Sequence, residues 1–367
     1  MKNGHRNLTK GFDSVTLACT LLLVCLGLVT VFSSSYTSGL DAVKPYFSRQ
    51  LVWALLGLVA MLIAVLIDYR FVEAYAYQLY GVTLFLLVFL LFSGKEVHGS
   101  QRWIHLMGVQ VQPSEFVKLS TLFVLARFLD DIGDRIHEVK FLVVALLLAG
   151  VPTGLILLQP DLGTALVLIV LLAGMLFAAG IKRSHFAFLA AAGIAGIPIF
   201  WQFLKGYQKA RLLAFVNPDL DPLGISYQVI QSQIAVGSGG LIGKGWLAGT
   251  QSQLNFLPEQ HTDFIFSVFA EQWGFLGACL LILLYLGLLF QAIKIADTAR
   301  DFQGSMLAVG IIVIIVFQVL VNLLMTVGLC PVTGIPLPFM SYGGSNLLTM
   351  MTCIGILLGI RMRSFIF

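Results

Sequence analysis

The chain has 367 residues, of which 58% are apolar and only 11% are charged. A typical soluble domain has about 45 to 50% apolar and about 25% charged residues, so this chain carries too little charge to cover a water-facing surface. The composition excludes an ordinary soluble enzyme and predicts that most of the chain lies in a lipid bilayer. The net charge of +4 is not arranged as a basic stripe with interleaved aromatic residues, so no nucleic-acid partner is indicated.

Uncharged stretches long enough to cross a bilayer, roughly 20 residues each, recur along the chain. The first, Ser14 to Leu40, is too long for a signal-peptide core and is interpreted as a retained span. A less obvious span runs from Pro113 to about Leu129 and contains charged residues. The other predicted spans are Gln50 to Ile67, Ala74 to Gly94, Phe141 to Pro160, Leu162 to Ile181, Phe186 to Leu204, Gln272 to Ile293 and two within Phe302 to Ile360, separated by Pro331 to Pro338. The prediction is an all-α integral membrane protein, a single polytopic domain over residues 1–367 with about ten transmembrane helices.

The distribution of basic residues predicts the orientation of these helices. Most Lys and Arg residues fall at the helix ends on the side of the N-terminus. The short loops on the opposite side carry only Lys44, Arg49, Lys95 and Arg102. The positive-inside rule therefore predicts that both termini are cytoplasmic in the cell membrane. A long segment between helices seven and eight, about residues 205–262, then lies outside the cytoplasm.

Two polar islands interrupt the apolar pattern on the outer side. Glu115 and Lys118 are three residues apart on one face of a predicted helix, and ionisable groups inside spans mark either a functional site or an internally paired contact. A structural ion pair is the alternative interpretation. The second island is Gln159 to Thr164, where Asp161 is either a helix cap in a simple turn or part of a site.

The long outer segment carries three further features. It begins with Lys205, Lys209 and Arg211. The spacing within Tyr227 to Ile234 predicts a short helix that either lies in the membrane interface or packs on the bundle. Glycine-rich turns around Lys244 can cradle a phosphate, although the Walker spacing is missing, and flexible turns explain them equally well.

Asp263 lies where the polar segment enters the eighth helix, which is predicted to open at this residue. It is either the N-cap of that helix or a partly desolvated carboxylate suited to proton transfer. His261 is interpreted as a polar loop residue. Glu271, about two turns deeper, is either substrate-facing or structural.

Four motifs, in this order, resemble those of the SEDS family, the shape, elongation, division and sporulation proteins of the bacterial cell wall. They are Arg102-Trp103-Ile104 with Gln112 to Glu115, then Gln159 to Thr164, then Gly243 to Trp246 with Gly249 to Gln251, Pro258-Glu259 and His261 to Phe264, and last Gly334 to Pro336 with Ser341 to Ser345. The third motif resembles the rod-shape branch of the family more than its division branch. Gln272 departs from the family pattern, since many relatives have a second acidic residue after Glu271.

The resemblance implies an inverting peptidoglycan glycosyltransferase that polymerises lipid II on the outer face of the membrane during cell elongation and rod-shape maintenance. It also implies a class B penicillin-binding protein and other membrane proteins of the elongation complex as partners. Asp263 matches the family's essential aspartate and is expected to act as the general base that deprotonates the acceptor 4-hydroxyl.

The lipid pyrophosphate leaving group needs cationic partners, and the candidates are Lys118, Arg102 and either Arg49 or Lys244. Glu115 is expected to orient Lys118. Asp161 is expected to position a sugar or a divalent cation, and the requirement for a metal stays open.

Two alternatives from other classes remain. A flippase for the lipid-linked precursor also needs polar groups inside a helical bundle, but along both halves of a path rather than at one end. A non-catalytic scaffold for a penicillin-binding protein predicts that the purified chain makes no glycan.

Overall fold

The computed structural model describes residues 11–36, 45–93, 103–106, 109–217, 224–254 and 256–364. Helices dominate this part of the chain. In order they are α1 (Ser14–Ser35), α2 (Tyr46–Leu66), α3 (Tyr69–Ala74), α4 (Ala76–Ser93), α5 (Pro113–Ile132), α6 (Val139–Leu158), α7 (Leu162–Ala178), α8 (Arg183–Phe203), α9 (Gly206–Val216), α10 (Ile225–Ser238), α11 (Thr250–Gln253), α12 (Ile265–Asp297), α13 (Phe302–Thr326) and α14 (Gly344–Ser364). A short antiparallel hairpin, β1 (Ile104–Leu106) and β2 (Val109–Val111), precedes α5, with Ile104 opposite Val111.

Six of these helices, α1, α2, α6, α12, α13 and α14, are long and apolar enough to cross a membrane, and α4 and α7 are shorter apolar helices. Large apolar side chains cover the outside of the bundle, such as Phe92, which is 87% exposed, and Leu66, which is 79% exposed. Such a surface is stable only against lipid or another protein. The predicted class, an all-α multi-pass membrane protein, is confirmed.

Glycines let the buried helix α14 approach α2 closely. A Cβ atom added at Gly355 would lie 2.4 Å from the backbone oxygen of Met61, and one at Gly57 would lie 3.0 Å from Met351. Small residues at such crossings allow backbone contact between membrane helices. This packing helps to fix the N-terminal end of α14, which borders the site described below.

The eighth predicted span differs from the prediction. It does not open at Asp263: α12 begins at Ile265, and its N-cap is Phe264, which makes no side-chain capping bond. The helix is also broken at Gly274, where φ is 63° and ψ is −163°. The hydropathy of this helix did not indicate the break, because hydropathy does not report backbone dihedral angles.

A loop from the long outer segment pairs with the broken helix. The amides of Lys244 and Gly245 donate to the carbonyls of Glu271 and Gln272, both at 3.0 Å, while the Phe275 amide donates to the Gly240 carbonyl at 2.9 Å. The backbone groups that the break releases are thus satisfied within the protein. The amides of Lys244 and Gly245 are thus bonded within the protein, and the binding of a phosphate by the Lys244 side chain stays a prediction.

The predicted short helix around Tyr227 to Ile234 lies within α10 and packs on the bundle. Ser232 is fully buried, and its Oγ lies 2.6 Å from Ser267 Oγ on α12 and 2.6 Å from the carbonyl of Thr326 on α13. Ile234, in contrast, is 44% exposed. The buried face of α10 is therefore formed by small side chains such as Ser232 rather than by large apolar side chains such as Ile234.

Candidate active site

A cavity of about 820 Å³ opens where the N-terminal ends of α5, α7 and α14 meet α8, α9 and the loop that precedes α14. One side is apolar and is formed by Leu162, Ala165, Leu166 and Ile169 of α7 with Gly193, Gly196 and Ile197 of α8. The other side is polar. Three of the predicted site residues, Glu115, Asp161 and Asp263, line this cavity.

Asp263 lies on a turn whose backbone carbonyls are fixed by three donors from elsewhere in the chain. The Tyr342 amide donates to His261 O at 2.8 Å, Ser341 Oγ donates to Thr262 O at 2.7 Å, and Asn322 Nδ2 donates to Asp263 O at 3.0 Å. These bonds hold three successive residues against α13 and the loop before α14. The turn therefore presents the Asp263 side chain to the cavity from a fixed backbone.

The wall opposite Asp263 needs a glycine. Gly334 has φ of 74°, and a Cβ atom added there would lie 3.7 Å from Asp263 Oδ2. Positive φ values of this kind are rarely adopted by residues with side chains. Gly334 thus lets the loop pass close to the carboxylate.

Asp161 caps α7, as the capping interpretation predicted, and also lines the cavity. Its Oδ1 accepts from the Thr164 amide at 3.2 Å, and its Oδ2 accepts from Thr164 Oγ1 at 3.0 Å and from Gln112 Nε2 at 3.1 Å. The residue is 6% exposed. Its two interpretations are compatible, because a cap that faces a cavity can also bind a ligand there.

Glu115 and Lys118 form a buried ion pair on α5, with Lys118 Nζ 2.7 Å from Glu115 Oε2. The side chain of Lys118 is 1% exposed. Glu115 lines the cavity, whereas Lys118 is not among the described residues that line it. Pro113 lies in the first turn of α5, where a missing backbone donor costs nothing. The pair sits directly behind the polar wall of the cavity.

Lys244 is not among the residues that line the cavity. Its Nζ lies 2.7 Å from Glu271 Oε1 and 2.9 Å from Thr250 Oγ1. Glu271 is fully buried and also accepts from the Gln251 amide at 3.1 Å. Of the two interpretations of Glu271, the structure favours the structural one, because its carboxylate anchors the outer loop on α12.

The remaining predicted cations are Arg49 and Arg102. Arg49 is exposed near the start of α2 and is not a lining residue. Arg102 falls outside the described residues, although the adjacent Trp103 lines the cavity. His261 stacks on Tyr46, with ring centroids 4.1 Å apart, as part of the packing beside the Asp263 turn.

A bound metal would need several converging ligands. Within the described part of the chain, no three His, Cys, Asp or Glu side chains are grouped in an arrangement that could hold a metal ion. The divalent cation considered for Asp161 therefore has no set of three such ligands among these residues.

Sequence reasoning missed Arg211 as a site residue. Among the described residues that line the cavity, it is the only basic side chain beside four carboxylates, Glu115, Asp161, Glu259 and Asp263. Its Nη1 donates to the Val332 carbonyl at 3.4 Å. The sequence did contain an indication of this role, because a cluster of basic residues in an outer segment is unusual under the positive-inside rule.

Asn322 was also missed. It is a fully buried amide in the mostly apolar helix α13, and it donates to Ile335 O at 2.8 Å as well as to Asp263 O. Polar residues inside membrane helices are costly and face the bundle interior. A buried amide in such a helix could have indicated a special role for Asn322. Its partner Asp263 could not be predicted, because it lies 59 positions away in the chain.

The fold and the site define a polytopic membrane protein whose cavity joins an apolar slot to a chamber rich in carboxylates. This arrangement suits an amphipathic, lipid-linked molecule. The chain belongs to the FtsW/RodA/SpoVE family: the family model, described as a cell cycle protein, matches residues 13–365. The SEDS resemblance drawn from the motifs is thereby confirmed.

Curated relatives match over nearly their whole length. The peptidoglycan glycosyltransferase MrdB of Escherichia coli strain K12 is 40% identical over 354 residues, which is 95% of this chain and 95% of that protein. The stage V sporulation protein E of Bacillus subtilis is 39% identical over 358 residues, covering 96% of this chain and 97% of that protein.

Solved structures share the fold. A chain from a structure on the coordination of polymerization and crosslinking by a peptidoglycan synthase complex has a TM-score of 0.81 and 34% identity, covering 96% of this chain and 98% of that chain. The crystal structure of the rod shape determining protein RodA of Thermus thermophilus has a TM-score of 0.71 and 30% identity, covering 95% of this chain and 96% of that chain.

Proposed function

We propose that this chain is an inverting peptidoglycan glycosyltransferase that polymerises lipid II into glycan strands during cell elongation and rod-shape maintenance. The observation that carries the proposal is the cavity that joins an apolar slot between α7 and α8 to the carboxylates of Glu115, Asp161 and Asp263. Lipid II has the matching parts, a long hydrocarbon chain and a polar disaccharide joined by a pyrophosphate. The Escherichia coli relative, which is 40% identical, is named a peptidoglycan glycosyltransferase, and a further relative is named a probable one. These names support the same activity.

The reaction is a single displacement at the anomeric carbon of the donor. The oxygen of the acceptor 4-hydroxyl forms the new bond, the bond from the anomeric carbon to the pyrophosphate oxygen breaks, and the lipid pyrophosphate leaves with the electron pair. The hydroxyl proton goes to the carboxylate of Asp263, which acts as general base. One such displacement inverts the configuration at the anomeric carbon.

The leaving pyrophosphate gains negative charge and needs a cation. Arg211 is the first candidate, because its guanidinium donates to the carbonyl of Val332. Val332 lies two residues before Gly334, which faces Asp263. A guanidinium can bind two phosphate oxygens at once. Lys118, Arg102, Arg49 and Lys244 remain the candidates from the sequence, with Glu115 orienting Lys118 and Asp161 positioning a sugar.

The proposed topology has ten spans and both termini in the cytoplasm, within the cell membrane. It rests on the ten predicted stretches, each of which overlaps a helix, namely α1, α2, α4 to α8 and α12 to α14. In this topology the cavity faces the outer side of the membrane. The proposed partners are a class B penicillin-binding protein, which would crosslink the product, and other membrane proteins of the elongation complex; the synthase complex among the structural relatives supports the first.

The test is polymerisation of lipid II by the purified chain in lipid vesicles, with a partner whose own activity is only crosslinking. The account predicts glycan strands from the wild type and from Asp13→Asn, a helix-cap variant at the start of α1. A wild type that moves lipid II across the vesicle membrane without making glycan supports the flippase instead. A wild type that does neither supports the scaffold.

A further inference from the structure

Glu259 lies in the same turn as Asp263, lines the cavity and holds an unusual backbone conformation. Its φ is 50°, in the left-handed region that residues other than glycine, asparagine and aspartate rarely adopt. The residue is exposed, so the packing of its side chain does not impose this conformation. Holding a glutamate there costs about 1 kcal/mol relative to glycine.

The turn needs the Glu259 backbone but not its side chain. The carbonyl of Glu259 accepts from the Thr262 amide at 3.2 Å, from Thr262 Oγ1 at 3.2 Å and from the Phe264 amide at 3.4 Å. A glycine would offer the same carbonyl without strain. In the turn, Glu259 Oε2 accepts from Thr262 Oγ1 at 3.1 Å in an exposed position, and an exposed hydrogen bond of this kind adds little stability.

We propose that Glu259 is a substrate-contacting residue whose carboxylate accepts hydrogen bonds from the hydroxyl groups of a sugar ring bound beside Asp263. The inference rests on the proposed function and extends it to a second acidic residue of the turn. A carboxylate is an acceptor only, with room for several donors, so it suits a ring rich in hydroxyl groups. Thr262, which also lines the cavity, orients the carboxylate of Glu259 through the hydrogen bond from its Oγ1 to Oε2.

The proposal predicts a separation of stability from binding. Replacing Glu259 by glycine removes the strain and the carboxylate together, so the thermal unfolding midpoint stays or rises while the KM for lipid II rises about ten-fold, the effect of losing one hydrogen bond to a charged group. Glu259→Gln keeps an acceptor of the same length and gives a smaller rise in KM. The matched control is Leu247→Gly, which relieves a φ of 60° outside the cavity and leaves KM unchanged.

A binding measurement keeps this inference separate from the catalytic proposal. In an Asp263→Asn background, which blocks turnover, lipid II with a farnesyl chain is titrated against protein with and without Glu259→Gly. Farnesyl pyrophosphate, which lacks the sugars, is titrated in parallel. The expected result is a loss of about ten-fold in affinity for the sugar-bearing lipid alone.

Equal affinity of both proteins for the sugar-bearing lipid would overturn the role of Glu259, and so would an equal loss for farnesyl pyrophosphate. If the wild type bound the sugar-bearing lipid in this Glu259-dependent manner but made no glycan, the glycosyltransferase proposal would fail while the sugar contact stood.

Discussion

The side-chain amide of Asn322 donates to the backbone carbonyl of Asp263, at 3.0 Å, and to that of Ile335, at 2.8 Å. One buried residue of α13 thereby joins the turn that carries the candidate base to the loop that forms the opposite wall of the cavity. The distance between these two walls is set by this amide, because both carbonyls are bonded to the same nitrogen.

Asn322→Leu is expected to lower kcat at least ten-fold with little change in KM for lipid II. The leucine side chain is of similar length but has no donor, so it leaves two carbonyls unpaired at a cost of about 1 to 3 kcal/mol each. Polymerisation rates, normalised to the folded fraction, check this. Gln318→Leu, at another buried amide one turn away on α13, is the control, and an equal fall in kcat there would argue against a specific role of Asn322.

Breaking the buried pair of Lys118 and Glu115 tests its two roles separately. Lys118→Met is expected to cost about 3 to 5 kcal/mol, because it leaves a buried carboxylate without its cation. Glu115→Gln combined with Lys118→Met is expected to recover most of that stability but not the polymerase activity. Thermal unfolding and glycan synthesis are the measurements.

The exposed pair of Lys140 and Glu138, 2.8 Å apart, supplies the comparison. Lys140→Met is expected to cost less than about 1 kcal/mol, since exposed ion pairs contribute little. Full polymerase activity in the double variant of Glu115→Gln and Lys118→Met would show that the buried pair serves packing alone.

Glu73 provides a test by pH at the opposite end of the bundle. It lies on α3, is 1% exposed, and neither of its carboxylate oxygens has a hydrogen-bond partner among the residues that the structure describes. Burial, together with the negative charges of Asp130, Asp301 and Asp131, raises the pKa of Glu73 to about 8, and only Arg127 opposes this shift. The folded protein therefore holds the proton that the unfolded chain, with a pKa near 4.3, releases.

The sign of the effect follows from that difference. The stability contribution is full below the unfolded pKa of about 4.3 and is lost progressively as the pH rises to about 8. Glu73→Gln mimics the protonated form, so it is expected to match the wild-type unfolding midpoint at about pH 4 and to exceed it at about pH 8. A pH dependence that is the same in both proteins would contradict the neutral state of Glu73.

Gly274 tests the break in α12. A Cβ atom added there would lie 2.3 Å from the Gly243 amide nitrogen, and its φ of 63° disfavours any side chain. Gly274→Ala is expected to lower the unfolding midpoint and to release the outer loop to proteolysis. Gly81→Ala, where the added atom meets nothing within 4 Å, is expected to be neutral or slightly stabilising.

Patterns that act along a single helix were predictable from the sequence. Long apolar runs located the helices, Pro113 marked the start of α5, and Asp161 was recognised as a possible cap of α7. Each of these signals depends on neighbouring residues and on the cost of placing polar groups in lipid. The convergence of Glu115, Asp161 and Asp263 at one end of the bundle followed from the same topology.

Features that depend on contacts between distant segments were not predictable. Hydropathy does not distinguish Gly274 from an ordinary helical glycine, so the break in α12 was missed. The ion pair of Lys244 with Glu271 was not predicted either, because Glu271 lies 27 positions away and is fully buried. Arg211 reaches the cavity from α9, where Tyr207 donates to the Pro160 carbonyl at 3.0 Å, and no local pattern records this contact between distant residues.

The most direct test of the central claim compares wild type and Asp263→Asn for glycan synthesis from lipid II, with lipid II binding measured on the same preparations. The account predicts that the variant folds, binds lipid II and makes essentially no glycan, because an amide cannot accept the hydroxyl proton. Polymerisation by the folded variant at the wild-type rate would contradict the assignment of Asp263 as the general base.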